Sequence, residues 1–530
     1  MRTSQRTVWA DRSYVIPMFA FVLSVLSTLA GCSGPPRLTA EDRRRDIKFL
    51  ARWARAYSPL VELNERQKGT PSYEALLPTY LEYAGQAQSN EEFYQVVSGY
   101  FSVIGASGHA YLVSDDLLKW NAIGSLFGVV NLGVTPVQFQ SARYWPRLAA
   151  NLSTRAHPPF RVVGKDGRYF TGDDWQSDGA SVPKGSEILW IDGMTCSDYL
   201  DYIKRNTSLK YDAYPKGWVD YFLMIVDEGP SFRGWQVDFR LPDNTELVAF
   251  VPKVKGFPAP ADDSAHPAEP KANCTCVELA DDVGYIHIRS FLGSPLDHVF
   301  RRFVARDRKK IEVFLKRSHG KYNKLIVDIR SNGGGFPQYY YDNLIAPFLT
   351  EPVTWKETVG VKRAFLRDTK PSVLRYLRRD VKPRQISEEE LEPPSGFDRG
   401  QWVFYEITRK VEPAHRYGFR GTLYVLIDGN CFSAADGYAD VVKRTRIGTL
   451  VGRNTGGARV SYLLPPMVRL PSSGMIFRME ADLDLTPDGS FNELVGTEPD
   501  VKLPPADPPA SITREDLLKD EWVKKVIAGP

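Results

Sequence analysis

Two stretches of this 530-residue chain combine residue types that could perform acyl transfer. The first, Thr422 to Gly457, reads TLYVLIDGNCFSAADGYADVVKRTRIGTLVGRNTGG. Leu423 to Ile427 is an apolar run with strand character, and a polar turn from Asp428 to Phe432 follows it. Behind Ser433, the residues Ala434, Tyr438, Val441 and Val442 recur at helical spacing. A serine at such a strand-to-helix turn sits where free N–H groups and the helix dipole favour developing negative charge. Ser433 is therefore either a nucleophile or an ordinary helix N-cap. The second stretch, Lys324 to Phe336, reads KLIVDIRSNGGGF. Its strand runs into Gly333, Gly334 and Gly335, which can approach a ligand closely and present successive N–H groups to an anion.

Taken together, DIRSNGGG, DGNCFSAAD, GTLVGRNTGG and, from Glu493 to Asp500, ELVGTEPD resemble in order the carboxyl-terminal processing (tail-specific) peptidases and their tricorn-core relatives. The resemblance covers the C-terminal half well and the N-terminal half loosely. It implies a serine peptidase with a crotonase-like α/β core, acting on polypeptides without a cofactor. Ser433 would be the nucleophile. Gly334, Gly335 and the N–H of Ala434 would form the oxyanion hole.

A serine needs a base within hydrogen-bond reach. The tail-specific branch uses a lysine at the small-residue turn, but here that place reads Gly457-Ala458-Arg459, and no lysine occurs between Lys443 and Lys502. Arginine, with a pKa above about 12, cannot serve. The tricorn-like branch uses histidine, whose pKa of about 6.5 suits general-base work. The resemblance assigns that role to His109 and the orienting carboxylate to Glu493. Two positions depart from the pattern: Asp436 stands where the family often has glutamate, and Gly108 precedes the histidine. An inactive peptidase fold binding an apolar ligand or peptide is the main alternative, and a non-peptidase serine hydrolase is a third.

Several elements must position these residues. Thr39 to Asp42 reads as a capping box, and Ile47, Leu50, Ala51, Ala54 and Tyr57 recur at helical spacing behind it. Residues 32–115 are expected to form a helical N-terminal domain. Residues 116–258 resemble a PDZ-type β-rich domain on the segment Val182 to Gly193. Trp235–Leu241 and Glu246–Val251 are expected to pair as a hairpin around Pro242-Asp243-Asn244. Residues 259–273, rich in Pro, Ala and Asp, read as a linker, 274–510 as the peptidase core and 511–530 as a C-terminal tail. Residues 367–402, charged and Pro-containing, read as a surface loop or an insertion.

The N-terminus is not fold. Arg2, Arg6 and Arg12 precede an apolar run from Tyr14 to Ala30, so residues 1–31 read as a signal peptide. The ending Leu29-Ala30-Gly31-Cys32 resembles a bacterial lipobox, which implies lipidation of Cys32, a membrane anchor and a body facing the periplasm, with the outer membrane favoured. A formal net charge of +4 without a basic stripe argues against nucleic acid. Cys274-Thr275-Cys276 is too compact for the usual zinc spacing, and no metal is expected. The oligomeric state and the pairing of Cys196, Cys274, Cys276 and Cys431 are left open.

Overall fold

The computed structural model describes residues 35–529 except 67–71, 105–108, 114–117, 119–141, 153–154, 161, 166–167, 178, 197, 200–210, 214–215, 219–225, 228–232, 256–271, 293–301, 318–319, 379–381, 388–389, 392–393, 395–396, 399, 415–418, 460–461, 505–508 and 510. The expected signal peptide, Cys32 and nearly all of the expected linker lie outside the described residues.

At the centre is a six-stranded sheet. Its order is Cys274–Ala280, Val283–Ile288, Lys324–Asp328, Thr422–Ile427, Thr449–Gly452 and Val501–Lys502. The first pair is antiparallel and every later pair parallel. Continuous apolar runs suit parallel strands because both faces are covered. Alternate residues divide between two cores. Leu325, Val327, Leu423, Val425 and Ile427 pack under the helix Ala434–Thr445 through Ala435, Tyr438, Ala439 and Val442. On the other face, Ile326, Tyr424, Leu426 and Val451 pack against Leu517, Trp522, Val523 and Val526.

That second cover is the segment expected to be a tail. Residues 514–517 and 521–528 are helical, and Asp520 caps the second helix by accepting from the Val523 N–H. Burying a Val-sized side chain stabilises by about 1.5–3 kcal/mol, so this segment is part of the fold. Lys324 Nζ donates to the Ile527 carbonyl at 2.6 Å, satisfying an orphan acceptor at the helix end.

The N-terminal helices share a core with the C-terminal half. Helix Ala40–Tyr57 starts with the expected capping box: Thr39 Oγ1 accepts from Asp42 N–H, and Asp42 Oδ2 accepts from Thr39 N–H, both at 3.1 Å. Its face of Ile47, Leu50, Trp53 and Ala54 packs with Phe477, Met479 and Leu483. Trp53 meets Phe477 edge-on at 5.4 Å between ring centroids. Buried Asp46 accepts from the N–H groups of Ser472 and Ser473 at 2.7 and 2.8 Å. These contacts fix the turn that leads into the strand Ile476–Arg478.

That strand pairs antiparallel with the two-residue strand Tyr111–Leu112, with Tyr111 opposite Arg478 and Leu112 opposite Phe477. A further four-stranded sheet, Pro383–Gln385, Trp402–Val411, Val353–Lys362 and Asp482–Leu485, lies in the same half. Of the two readings of 367–402, surface loop or insertion, a plain loop does not hold: the segment contains a helix, Pro371–Leu377, a strand, Pro383–Gln385, and the buried Phe397. Within 158–255, Gly234–Arg240 and Glu246–Pro252 pair antiparallel as a hairpin closed through Asn244 at φ 66°. This hairpin edges a six-stranded sheet that includes Glu187–Ile191, Arg168–Thr171 and Val162–Lys165.

Candidate active site

Adjacent parallel strands bring the two chemistry-bearing loops together. Lys324–Asp328 and Thr422–Ile427 run side by side with Asp328 opposite Leu426, so the loops beyond them leave the sheet at the same end. Sites in open α/β sheets form at the carboxyl ends of strands for this reason. Asp428 fastens one loop to the other. Its carboxylate accepts from the N–H of Ser331 in the glycine loop at 3.0 Å, and from those of Asn430 and Cys431 at 3.1 Å. Burial raises the Asp428 pKa, and these donors oppose that rise.

Ser433 ends the second loop with φ 58° and ψ −116°, a conformation that costs an L-residue about 1–3 kcal/mol. Its side chain makes no capping bond to the helix it precedes. The N-cap role that the sequence left open is therefore not the one adopted. Instead Ser433 Oγ lies 3.1 Å from His109 Nε2. The backbone holds this turn from three sides. Ser433 N–H donates to the Gly457 carbonyl at 3.0 Å, Phe432 N–H to the Asn332 carbonyl at 3.1 Å, and Gly437 N–H to the Ser433 carbonyl at 2.9 Å. The Phe432 ring lies 4.9 Å from the His109 ring and walls one side of it.

The other ring nitrogen, His109 Nδ1, is 3.2 Å from Glu480 Oε1. His109 is 8% exposed and Glu480 3%, so the pair is nearly dry. The cross-strand register explains the meeting. Continuing the pairing of Tyr111 with Arg478 by two residues sets His109 opposite Glu480. Glu480 was not anticipated. The available signal was a lone carboxylate in the apolar run Met475 to Ala481, broken otherwise only by Arg478.

The place against Nδ1 that the resemblance gave to Glu493 is thus filled by Glu480. Glu493 lies on the short helix Asn492–Val495, also buried, and accepts from the Asp484 N–H at 3.3 Å. Burial first, then the nearby Asp484 carboxylate, pushes its pKa well above the usual carboxylate range, with Glu480 adding to the rise. A carboxyl whose pKa is pushed up in this way is a poorer counter-ion for an imidazolium than one that stays readily ionised.

The glycine loop meets the nucleophile turn closely. Gly334 has φ +92°, and a Cβ there would come within 2.4 Å of the Phe432 carbonyl oxygen and 2.9 Å of Ala434 N. Only glycine fits this contact. The Gly334 N–H, however, donates to Asn332 Oδ1 at 2.9 Å and is not available to an oxyanion. Among the described residues, the N–H groups of Gly335 and Ala434 have no acceptor. Asn332 also donates through Nδ2 to the Ile288 carbonyl at 3.0 Å, which sets the loop's height above the sheet.

The remaining sequence candidates are structural. Asp436 is fully buried and accepts from Thr455 Oγ1, from Thr497 Oγ1 at 2.7 Å and from Asn492 Nδ2 at 2.9 Å. It ties the helix behind Ser433 to the elements that carry Glu493. Arg459, at the turn where a lysine base would stand, is buried and ion-paired with Asp440 at 2.5 Å. The Cys431 sulfur lies 3.0 Å from the Ile329 carbonyl, and burial, then Asp428, pushes its thiol pKa far up. It is no rival to Ser433 as a nucleophile.

This arrangement can abstract a proton from Ser433 at His109 Nε2 and hold the resulting imidazolium against a carboxylate at Nδ1. Residues 282–503 match the profile of peptidase family S41. Mature CPAF complexed with lactacystin is similar at 16% identity and a TM-score of 0.52, over 92% of this chain and 97% of that one. Mature CPAF alone gives 15% and 0.53, over 92% and 96%. The photosystem II D1 C-terminal processing protease aligns at 14% identity over 88% and 94%, with a TM-score of 0.37. No curated protein sequence matches the chain. The CPAF likenesses show a shared fold.

Proposed function

Residues 282–503 belong to peptidase family S41 and make the chain a serine peptidase; from that premise we propose that it cleaves polypeptides with Ser433 as nucleophile, His109 as base and Glu480 as the carboxylate that orients the base. The reading rests chiefly on the 3.1 Å separation of His109 Nε2 and Ser433 Oγ, with the serine hydroxyl withdrawn from helix capping. Ser433 Oγ attacks the scissile carbonyl carbon while His109 Nε2 takes its proton. The N–H groups of Ala434 and Gly335 receive the developing oxyanion, each such donor being worth about 2.7–4 kcal/mol of barrier. His109 then passes the proton to the leaving amine, and a water activated by the same ring nitrogen hydrolyses the acyl-enzyme.

The mixed α/β core fits the crotonase-like fold expected of such enzymes, and the β-rich module within 116–258 fits a PDZ-like role in engaging substrate. Deleting 158–255 is then expected to impair cleavage of long polypeptides more than that of a short ester; equal loss on both would make the module a scaffold. Export and lipidation at Cys32 complete the reading, with Cys32→Ala expected to move the protein from the membrane to the soluble fraction. The alternative of an inactive binding fold gains nothing from a site in which nucleophile and base already stand at hydrogen-bond distance.

The mechanism is tested by hydrolysis of an unstructured polypeptide. Ser433→Ala and His109→Ala are each expected to remove nearly all activity, and the double variant to be little worse than either. Independent, additive losses in folded variants would contradict a unit of two residues.

A further inference from the structure

A pair of sulfurs lies outside the active site. Cys274 and Cys276 stand two residues apart on the outermost strand of the central sheet, Cys274–Ala280, with their side chains on one face. Their Sγ atoms are 4.0 Å apart. Cys274 is buried, whereas Cys276 is partly exposed. The mechanism above uses neither thiol, and among the described residues the strand pairs on one side only, with Val283–Ile288. An edge strand with one partner can repucker without breaking a second ladder.

From this geometry we infer that Cys276 and Cys274 form a reactive dithiol that is oxidised by low-molecular-weight disulfides, Cys276 attacking and Cys274 resolving. In the first step Cys276 Sγ bonds to one sulfur of the external disulfide. The external S–S bond breaks, and one thiolate leaves and takes up the proton that Cys276 gave up. In the second step Cys274 Sγ attacks Cys276 Sγ and expels the second thiolate, which takes the Cys274 proton. The protein loses two electrons and two protons, which the external disulfide takes up to become two thiols.

The order of attack follows from access. Only Cys276 can be reached from solvent. The hydrogen bond with Cys276, followed by burial, keeps the Cys274 thiol protonated in the reduced pair. Once Cys276 carries the mixed disulfide that bond is gone, and Lys310, whose Nζ lies 3.3 Å from the Cys274 carbonyl oxygen, favours the attacking thiolate. Two residues of extended chain separate Cα atoms by about 6.6 Å, near the upper end of the range a disulfide spans. The bond formed is therefore strained and easily reduced again.

The test treats the folded, reduced full-length protein with excess glutathione disulfide, blocks remaining thiols and maps tryptic peptides by mass. Both cysteines fall in the single peptide 272–289. That peptide is expected to be two hydrogens lighter and to carry no glutathione. Cys274→Ser is expected to trap glutathione on Cys276, and Cys276→Ser to leave Cys274 unmodified. A wild-type peptide that keeps the glutathione adduct, or one that emerges with both thiols unreacted, overturns the proposal.

Discussion

His109 and Glu480 face each other across two short antiparallel strands, with Nδ1 and Oε1 3.2 Å apart. A carboxylate in that position selects the tautomer that leaves Nε2 free to accept the serine proton, and it stabilises the charged ring afterwards. Glu480→Gln is expected to lower kcat by roughly 10²–10⁴-fold with KM little changed, the pattern of a lost transition-state interaction. Steady-state kinetics on a peptide substrate measure it. A loss under tenfold would remove Glu480 from the orienting role.

Glu493 gives the converse prediction. Its folded pKa is raised, so the native state binds its proton more tightly than the unfolded chain does. The stability it contributes is present below the unfolded carboxyl pKa of about 4.3 and is lost as pH rises toward the folded value. Glu493→Gln copies the neutral group. It is expected to cost less than about tenfold in kcat and to gain on the wild type in thermal midpoint as pH rises from 4 to 8. A kcat loss matching that of Glu480→Gln, or a midpoint difference that does not change with pH, contradicts a raised Glu493 pKa.

Ser433 holds a positive φ that glycine would hold without strain. Both Ser433→Gly and Ser433→Ala lose the contact with His109, so their difference isolates the backbone term. The glycine variant is expected to be more stable than the alanine variant by about 1 kcal/mol, the strain relieved being partly offset by the greater freedom of glycine in the unfolded chain. Denaturant unfolding gives the comparison. An alanine variant as stable as the glycine variant would mean that the turn stores no strain.

Much of this arrangement could be read from the chain, and the part that could not has a physical reason. The runs around Leu325 and Leu423 announced buried strands, and Ser433 and the Gly334–Gly335 loop were visible because their motifs are local. His109 was found only through the family resemblance, since a lone histidine carries no spacing signal. Glu480 was hidden because it meets His109 through the register of the two-residue strand Tyr111–Leu112 with Ile476–Arg478. No local pattern encodes that pairing across the chain. That the Gly334 N–H is taken up by Asn332 Oδ1 was not legible either, because the motif does not say which way the Asn332 side chain folds within its own loop. In the C-terminal segment, Trp522, Val523 and Val526 behind the Asp520 cap carry a helix signal that the reading of 511–530 as a tail did not use.

Asn332 provides a further test, since it is fully buried and joins the glycine loop to the strand beside it. Asn332→Ala leaves the Gly334 N–H and the Ile288 carbonyl without their partner. Destabilisation of about 1–3 kcal/mol is expected, together with a fall in kcat larger than any rise in KM, because the loop that faces Ala434 loses its anchor. Denaturant midpoints and steady-state kinetics would show it; unchanged kcat in a destabilised protein would separate loop position from catalysis.

The central claim is that Ser433 is a nucleophile activated by His109, and the most direct measurement is the site and rate of covalent labelling by a fluorophosphonate. The wild-type protein is expected to take up one phosphonyl group, located by peptide mapping on Ser433. Ser433→Ala should take up none, and His109→Ala should react at least about 100-fold more slowly, the scale of general-base assistance. A folded wild-type protein that is not labelled, or one labelled elsewhere with Ser433 unmodified, would contradict the account.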